Sequence, residues 1–194
     1  KTTITVTVSG TPSAPTVSDV SYCKDDVSTA LTATASSGNT LVWYDANQSE
    51  LTSGAPTPST ASVGTTTYYV AQQTASGCEG SKSTITVTVN ALPVAPSSTS
   101  SIEYCKDATA TALTATASGG HTLVWYGTDG TTVLSGAPTP STGSVGSTNY
   151  YVAQQNTTTG CEGAKTTITV TVNALPVAPT ATTTVDYCQD ATAT

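Results

Sequence analysis

The side chains best equipped for covalent chemistry are five cysteines: Cys23, Cys78, Cys105, Cys161 and Cys188. Each stands in one of two short motifs, YC(K/Q)D at residues 22, 104 and 187 or GCEG at residues 77 and 160. Thiols so arranged form disulfides or hold a metal. A structural zinc wants C-x-x-C clusters or histidine partners. The chain has no such cluster and a single histidine, His121, so no metal is expected and paired disulfides of an oxidising compartment are the reading.

Other reactive groups lead nowhere catalytic. Asp25, Asp107 and Asp190 follow the YC(K/Q) cysteines, and Glu79 and Glu162 follow the GC cysteines. Such carboxylates are hard oxygen ligands for calcium, yet two adjacent acids fall short of a cage, and surface ion pairs with Lys24 or Lys106 are the plainer expectation. Lys82 and Lys165 open a strand that Asn90 and Asn173 close. A Lys–Asn isopeptide bond needs the two side by side, not at opposite ends of one strand. Asn47-Gln48-Ser49 and Asn156-Thr157-Thr158 fit the N-glycosylation pattern, a weak signal. No Ser-His-Asp set or carboxylate pair recurs, so no catalytic residue, no cofactor and no enzyme activity are expected.

The elements that position these groups are written more than once. KTTITVTVNALPVAP (165–179) nearly copies KSTITVTVNALPVAP (82–96), and its first eight residues also open the chain. LTATAS, TLVWY, SGAPTPST and (T/N)YYVAQQ recur likewise, with a period of 82 residues from Trp43 to Trp125. The second copy carries one extra residue between Tyr151 and Cys161, which marks a hairpin tip. The expected division is residues 1–8 as the last strand of a preceding repeat, 9–15 as linker, 16–90 as a repeat, 91–96 as a proline-containing linker, 97–173 as a repeat, 174–179 as linker and 180–194 as the start of a further repeat. The chain therefore reads as a fragment of something longer.

Composition narrows the class. The 194 residues carry 9% charge and a net charge of -7, with only five Lys+Arg, so no basic patch can neutralise phosphates and nucleic acid is an unsuitable partner. No apolar run approaches the roughly 18 residues of a membrane span. Within each repeat the pattern has period two. In TITVTV, Ile85, Val87 and Val89 face one way and Thr84, Thr86 and Thr88 the other; in LTATA, Leu31, Ala33 and Ala35 point inward. The fold class is all-β, as tandem immunoglobulin-like β-sandwich repeats of about 82 residues forming a rod.

Motif order supports the sandwich. Leu31-x-Ala33, then Trp43, then Tyr68-x-Val70 follows the layout L-x-C, buried Trp, Y-x-C, with Ala and Val where two core cysteines would stand. Tyr68 and Tyr150 are therefore either the corner-bracing tyrosine or plain strand filler. If Trp43 points inward, Tyr44 points out beside Tyr69, as Tyr126 does beside Tyr151. These four are the glycan-contact candidates, against the alternative of a cross-strand pair that stabilises the sheet. Disulfide pairing has two candidates, with free thiols as the remaining alternative. The default is Cys23 with Cys78 and Cys105 with Cys161, one bridge in each repeat. This layout, however, sends Cys23 and Cys78 to opposite ends of the sandwich, and a rival bond from Cys23 to Cys161 would staple consecutive repeats.

Six motifs in fixed order (YC(K/Q)D, LTATAS, TLVWY, APTPST, YYVAQQ and GCEG, followed by TITVTV) resemble the immunoglobulin-like repeats of giant flavobacterial cell-surface adhesins of the gliding-motility kind. The resemblance covers both full repeats and both partial ones. It implies export by type 9 secretion, an extracellular location on the bacterial cell surface, and surface attachment with gliding motility. The implied partners are surface polysaccharide or an abiotic substratum, neighbouring repeats of the same chain, and outer-membrane motility or secretion machinery reached through other regions. Such modules also accompany secreted polysaccharide-degrading enzymes, where they would serve as glycan-binding accessories.

Overall fold

The computed structural model describes residues 2–6, 8–181, 183–190 and 192. Among these, all regular structure is strand. The first repeat contains β1 (Thr16–Val17), β2 (Val20–Cys23), β3 (Ala33–Thr34), β4 (Thr40–Tyr44), β5 (Glu50–Leu51), β6 (Gly64–Gln73) and β7 (Ser83–Asn90). β2, β7, β6, β4 and β5 form one sheet in that order, and β1 pairs with β3 in a second. All neighbours run antiparallel except β2 and β7, which are parallel, with Val20 opposite Val87 and Cys23 opposite Asn90.

The second repeat has the same plan. Its strands are β8 (Ser97–Ser98), β9 (Ser101–Cys105), β10 (Ala115–Thr116), β11 (His121–Tyr126), β12 (Val133–Leu134), β13 (Gly146–Asn156) and β14 (Thr166–Asn173). The large sheet is ordered β12-β11-β13-β14-β9, with β9 parallel to β14, and β8 pairs with β10. Two immunoglobulin-like sandwiches of about 80 residues each thus follow one another in the chain.

Alternation builds the core. In β7, Ile85, Val87 and Val89 are buried, while Thr84 is exposed and Thr86 and Thr88 are half-buried. Leu31, Trp43, Val70, Ile85 and Val87 pack into one cluster, with Ala33, Leu41, Leu51 and Tyr68 against it. Each large apolar side chain so buried contributes roughly 1.5–3 kcal/mol. Val70 and Ala33 fill with apolar contact the place where an antibody domain carries its bridge. Leu113, Trp125, Val152, Ile168 and Val170 are the buried counterparts in the second repeat. Tyr68 stands opposite Ile85 and packs against the core.

Two stretches depart from the expected strands. LTATA gives only the two-residue β3, because Leu31 leaves the ladder and donates its N–H to the Pro56 carbonyl at 2.9 Å. The opening TITVTV, among its described residues, pairs with no strand, and Ile4, Val6 and Val8 are more than four-fifths exposed. The extra residue of the second repeat lies in the turn after Asn156, whose side-chain oxygen accepts from the Thr158 and Thr159 N–H groups at 2.9 and 3.0 Å.

Candidate functional site

One compact unit comprises Lys1–Pro96, Ala117–Leu123 and Ala153–Lys165; the other comprises Ser97–Thr116, Val124–Val152 and Thr166–Thr194. The site lies within the first. Its centre is a disulfide between Cys23 and Cys161, with Cα atoms 5.5 Å apart and a sequence separation of 138.

Three devices hold the Cys23 arm. Its strand ends beside β7, and the chain then continues the ladder for one more bond, Lys24 N–H to the Asn90 carbonyl at 2.9 Å. There the chain turns sharply at Asp25, whose φ of 67° lies in the left-handed region that aspartate tolerates better than most residues. Thr60, the last residue of the SGAPTPST motif, locks the turn: its carbonyl accepts from Asp25 N–H at 3.0 Å and its hydroxyl donates to the Asp26 carbonyl at 2.6 Å. The Asp26 carboxylate also accepts the Cys23 N–H at 2.8 Å.

The Cys161 arm is a hairpin closed by Asn156 N–H to the Cys161 carbonyl at 2.9 Å and by a bridge between Gln155 and Glu162. Cys161 is fully buried. By contrast Cys78, Cys105 and Cys188 carry free thiols; Cys105 and Cys188 are exposed and Cys78 is half-buried.

The default pairing within each repeat is therefore corrected: neither Cys23–Cys78 nor Cys105–Cys161 forms, and Cys23 reaches the GCEG hairpin of the following repeat. Sheet register explains it. Cys23 stands beside Asn90, at the Gly64 end of the β6–β7 pair, whereas Cys78 follows Gln73 at the other end. Some nine residues of strand, about 30 Å, separate these levels, against a Cα limit of about 7 Å for a disulfide.

The linker before each repeat is seated in a cradle that sequence reasoning missed. Gln72 and Gln154 are polar side chains with almost no exposure. The Gln72 amide nitrogen donates to the Ser13 carbonyl at 2.8 Å, and its oxygen accepts from Ser36 N–H at 2.7 Å and from the Asn39 amide at 3.2 Å. Gln154 donates to the Val94 carbonyl at 2.7 Å and accepts from Ser118 N–H at 2.8 Å. Next to each glutamine, the second glycine of GCEG lets the linker backbone in. A Cβ at Gly80 would lie 2.1 Å from the Pro12 carbonyl oxygen, and one at Gly163 the same distance from that of Pro93. Ser83 adds a bond from its hydroxyl to the Pro15 carbonyl. The signal was available: period two places Gln72 on the same face as Val70 and Tyr68.

The four tyrosines form no open platform. Tyr44 stands opposite Tyr69, as the pattern requires, but Tyr44 and Tyr126 are each only 6% exposed. The segment between β6 and β7 covers Tyr44: its hydroxyl donates to the Glu79 carboxylate at 2.6 Å, and the Lys82 ammonium sits 3.4 Å from the ring centroid. Burial pushes the Tyr44 phenol well above the usual tyrosine range, with the bond to Glu79 and the charges of Glu79 and Glu50 adding to it. Tyr69 and Tyr151 are half-buried, and Gly130 lies against the Tyr151 ring, near enough that a Cβ would stand 3.3 Å from it.

The acids serve backbone geometry. Asp25, Asp107 and Asp190 all take positive φ, which accounts for the last residue of YC(K/Q)D. Lys24–Asp25 and Lys106–Asp107 are exposed ion pairs of neighbouring residues, of little energetic weight. Among the described residues no three His, Cys, Asp or Glu side chains gather as metal ligands. His121 keeps its Nδ1 at 2.9 Å from the Gly119 carbonyl in a turn. Asp129, in the β11–β12 turn, is held below the usual carboxylate range by hydrogen bonds from the Thr132 hydroxyl and the Thr132 and Thr131 N–H groups.

Comparison with known proteins agrees with this architecture. The family of Ig-like domains described as CHU_C associated matches residues 12–91 and again 93–174. No curated protein sequence matches the chain. Among solved structures, fibronectin(III)-like modules of Clostridium thermocellum CbhA are 16% identical, covering 81% of this chain and 91% of that one at a TM-score of 0.42. An I-band fragment of titin is 14% identical, covering 82% and 64% at 0.33. Bacteroides ovatus SGBP-B, solved with a mixed-linkage heptasaccharide, is 16% identical, covering 78% and 42% at 0.27.

Proposed function

The chain belongs to the CHU_C-associated Ig-like domain family, and we propose that it is a load-bearing repeat segment of a long adhesin fibre on the outer surface of a bacterial cell. Its repeats supply reach and stiffness for attachment to surface polysaccharide or an abiotic substratum, and for gliding, while other regions engage the export and motility machinery. The observation that carries this reading is the Cys23–Cys161 bond, because it places covalent continuity between consecutive repeats.

The mechanical consequence follows from connectivity. Tension applied at the two termini enters along residues up to Cys23, crosses the disulfide, and leaves from Cys161 onward. Of the strands, only β1, β2 and β14 lie on that path, and β3 to β13 sit inside the covalent loop. The loop holds 138 residues of separation, and reducing the bond would free about 45–50 nm of contour at ~3.4 Å per residue. Seated linkers add to the effect, since Gln72, Gly80, Gln154 and Gly163 make each linker part of the repeat that follows it. The glycan-accessory alternative lacks a comparable observation, because Tyr44 and Tyr126 are buried.

Single-molecule pulling between the termini tests the proposal. The oxidised chain should stop extending with the loop still closed, and reductant should release the hidden length in the same molecule. Full extension in the absence of reductant would sink the load-bearing reading.

A further inference from the structure

The two free cysteines of the full repeats stand in settings already prepared for a bond. Cys105 copies Cys23 in all but one group, since Ala108 stands where the Asp26 carboxylate accepts the Cys23 N–H. It ends a strand parallel to the last strand of its repeat, opposite Asn173, and Lys106 N–H donates to the Asn173 carbonyl at 2.8 Å. Asp107 turns the chain at φ 63°, its N–H donates to the Thr142 carbonyl at 3.0 Å, and the Thr142 hydroxyl donates to the Ala108 carbonyl at 2.6 Å. Yet Cys105 is exposed and unbonded.

Cys78 copies Cys161 in the same way. Thr74 N–H donates to its carbonyl at 3.0 Å, Gln73 bridges Glu79, and Gly80 N–H donates to the Gln72 carbonyl at 2.9 Å. Its sulfur also lies 4.0 Å from the Ser9 carbonyl. That contact identifies what belongs beside it. TITVTVSGTPSAP (3–15) aligns with TITVTVNALPVAP (84–96), and the structure fixes the alignment, since Pro12 and Pro93 meet the equivalent glycines and Ser13 and Val94 the equivalent glutamines. Ser9 is then the counterpart of Asn90, the residue that Cys23 stands opposite. Cys78 is therefore held where a YC(K/Q)D cysteine would arrive.

We propose that Cys105 and Cys78 are the two halves of further staples of the Cys23–Cys161 kind. Cys105 takes the GCEG cysteine, and Cys78 the YC(K/Q)D cysteine, of another copy of this repeat. The bonded pair in the same chain is the precedent for both. A small disulfide such as oxidised glutathione serves as oxidant. One thiolate attacks its S–S bond and releases one reduced thiol, and the second protein thiolate displaces the other from the mixed disulfide. Two protein thiols lose two electrons and two protons, and one glutathione disulfide becomes two thiols. The inference deepens the load-bearing reading; if it fails, the staple within this chain and its pulling test still stand.

The test extends the chain beyond residue 194 with a copy of residues 112–194, which completes a third repeat. The added copy carries Thr158→Ser so that its GCEG peptide differs in mass from the original. After oxidation in a glutathione buffer, the monomer is alkylated, digested without reduction and mapped. The expected result is Cys105 joined to the added GCEG cysteine, with Cys23–Cys161 retained and alkylation of Cys105 down about tenfold from the unextended chain. Cys105–Cys78 links between molecules of the unextended chain would identify a second chain as a source of the missing half. Cys105 still freely alkylated, or joined to Cys78 or Cys188 of its own chain, while Cys23–Cys161 is intact would overturn the proposal. Loss of Cys23–Cys161 itself would remove the precedent and the proposal with it.

Discussion

The two linkers differ in sequence, SGTPSAP before the first repeat and ALPVAP before the second, yet both are held by the same contacts. Ser13 and Val94 share neither polarity nor shape, but the carbonyl of each accepts from a buried glutamine. Pro12 and Pro93 each lay a carbonyl against a glycine. The repeat thus grips linker backbone, not linker side chains. Between these two copies the linker residues change, while the Gln and Gly that seat them stay the same. Each proline-containing linker is thus docked through its backbone carbonyls, in addition to the fixed φ angles of its prolines.

Substitutions can break that equivalence or sharpen it. The largest effect is expected at the covalent bond: replacing Cys23 and Cys161 by alanine should lower the unfolding free energy by about 3–5 kcal/mol, as the long loop implies, read from the denaturant midpoint. Next comes the buried amide. Gln72→Leu strands the Ser36 N–H and the Ser13 carbonyl at a cost of about 2–3 kcal/mol, and Gln154→Leu should cost the same if the two cradles are equivalent. Gly163→Ala forces the Pro93 carbonyl away and should cost about 1–3 kcal/mol in a thermal melt, matched by Gly80→Ala. At the other extreme, Ser13→Val, which makes one linker residue like its counterpart, should stay within about 0.5 kcal/mol of the parent.

Tyr44 supplies a test on a different axis. Its phenol titrates above the ordinary tyrosine pKa of about 10 in the folded chain, because burial and the bond to Glu79 favour the neutral form. Between the two values the unfolded chain has lost the proton and the folded chain has kept it. This contribution is full below about pH 10 and falls as pH rises further. Tyr44→Phe should flatten that alkaline loss in chemical denaturation measured across the range; an unchanged slope would detach the phenol from folding.

Much of the architecture was legible because period-two alternation is a direct readout of a half-buried sheet. Ile85, Val87 and Val89 against Thr84, Thr86 and Thr88 announced a strand and its inner face together. The ordered positions of Leu31, Trp43 and Val70 announced the sandwich. What stayed hidden depends on segments outside the ladder. Tyr44 reads as outward, and its parity is outward, but the loop bearing Glu79 and Lys82 folds over it. Gln72 obeys the inward parity, although a glutamine among valines invites a solvent reading until its partners are known. Cysteine spacing leaves the pairing undetermined, because the same counts suit a bead with its own bridge and a chain of stapled neighbours. Sheet register decides it, by sending Cys23 and Cys78 to opposite ends of one strand pair.

The most direct measurement is non-reducing digestion and mass spectrometry of the oxidised 194-residue chain after alkylation of its free thiols. A Cys23 peptide joined to a Cys161 peptide, with Cys78 recovered alkylated, is the expected result. A Cys23 peptide joined to a Cys78 peptide would contradict the account, turning stapled neighbours back into self-contained beads.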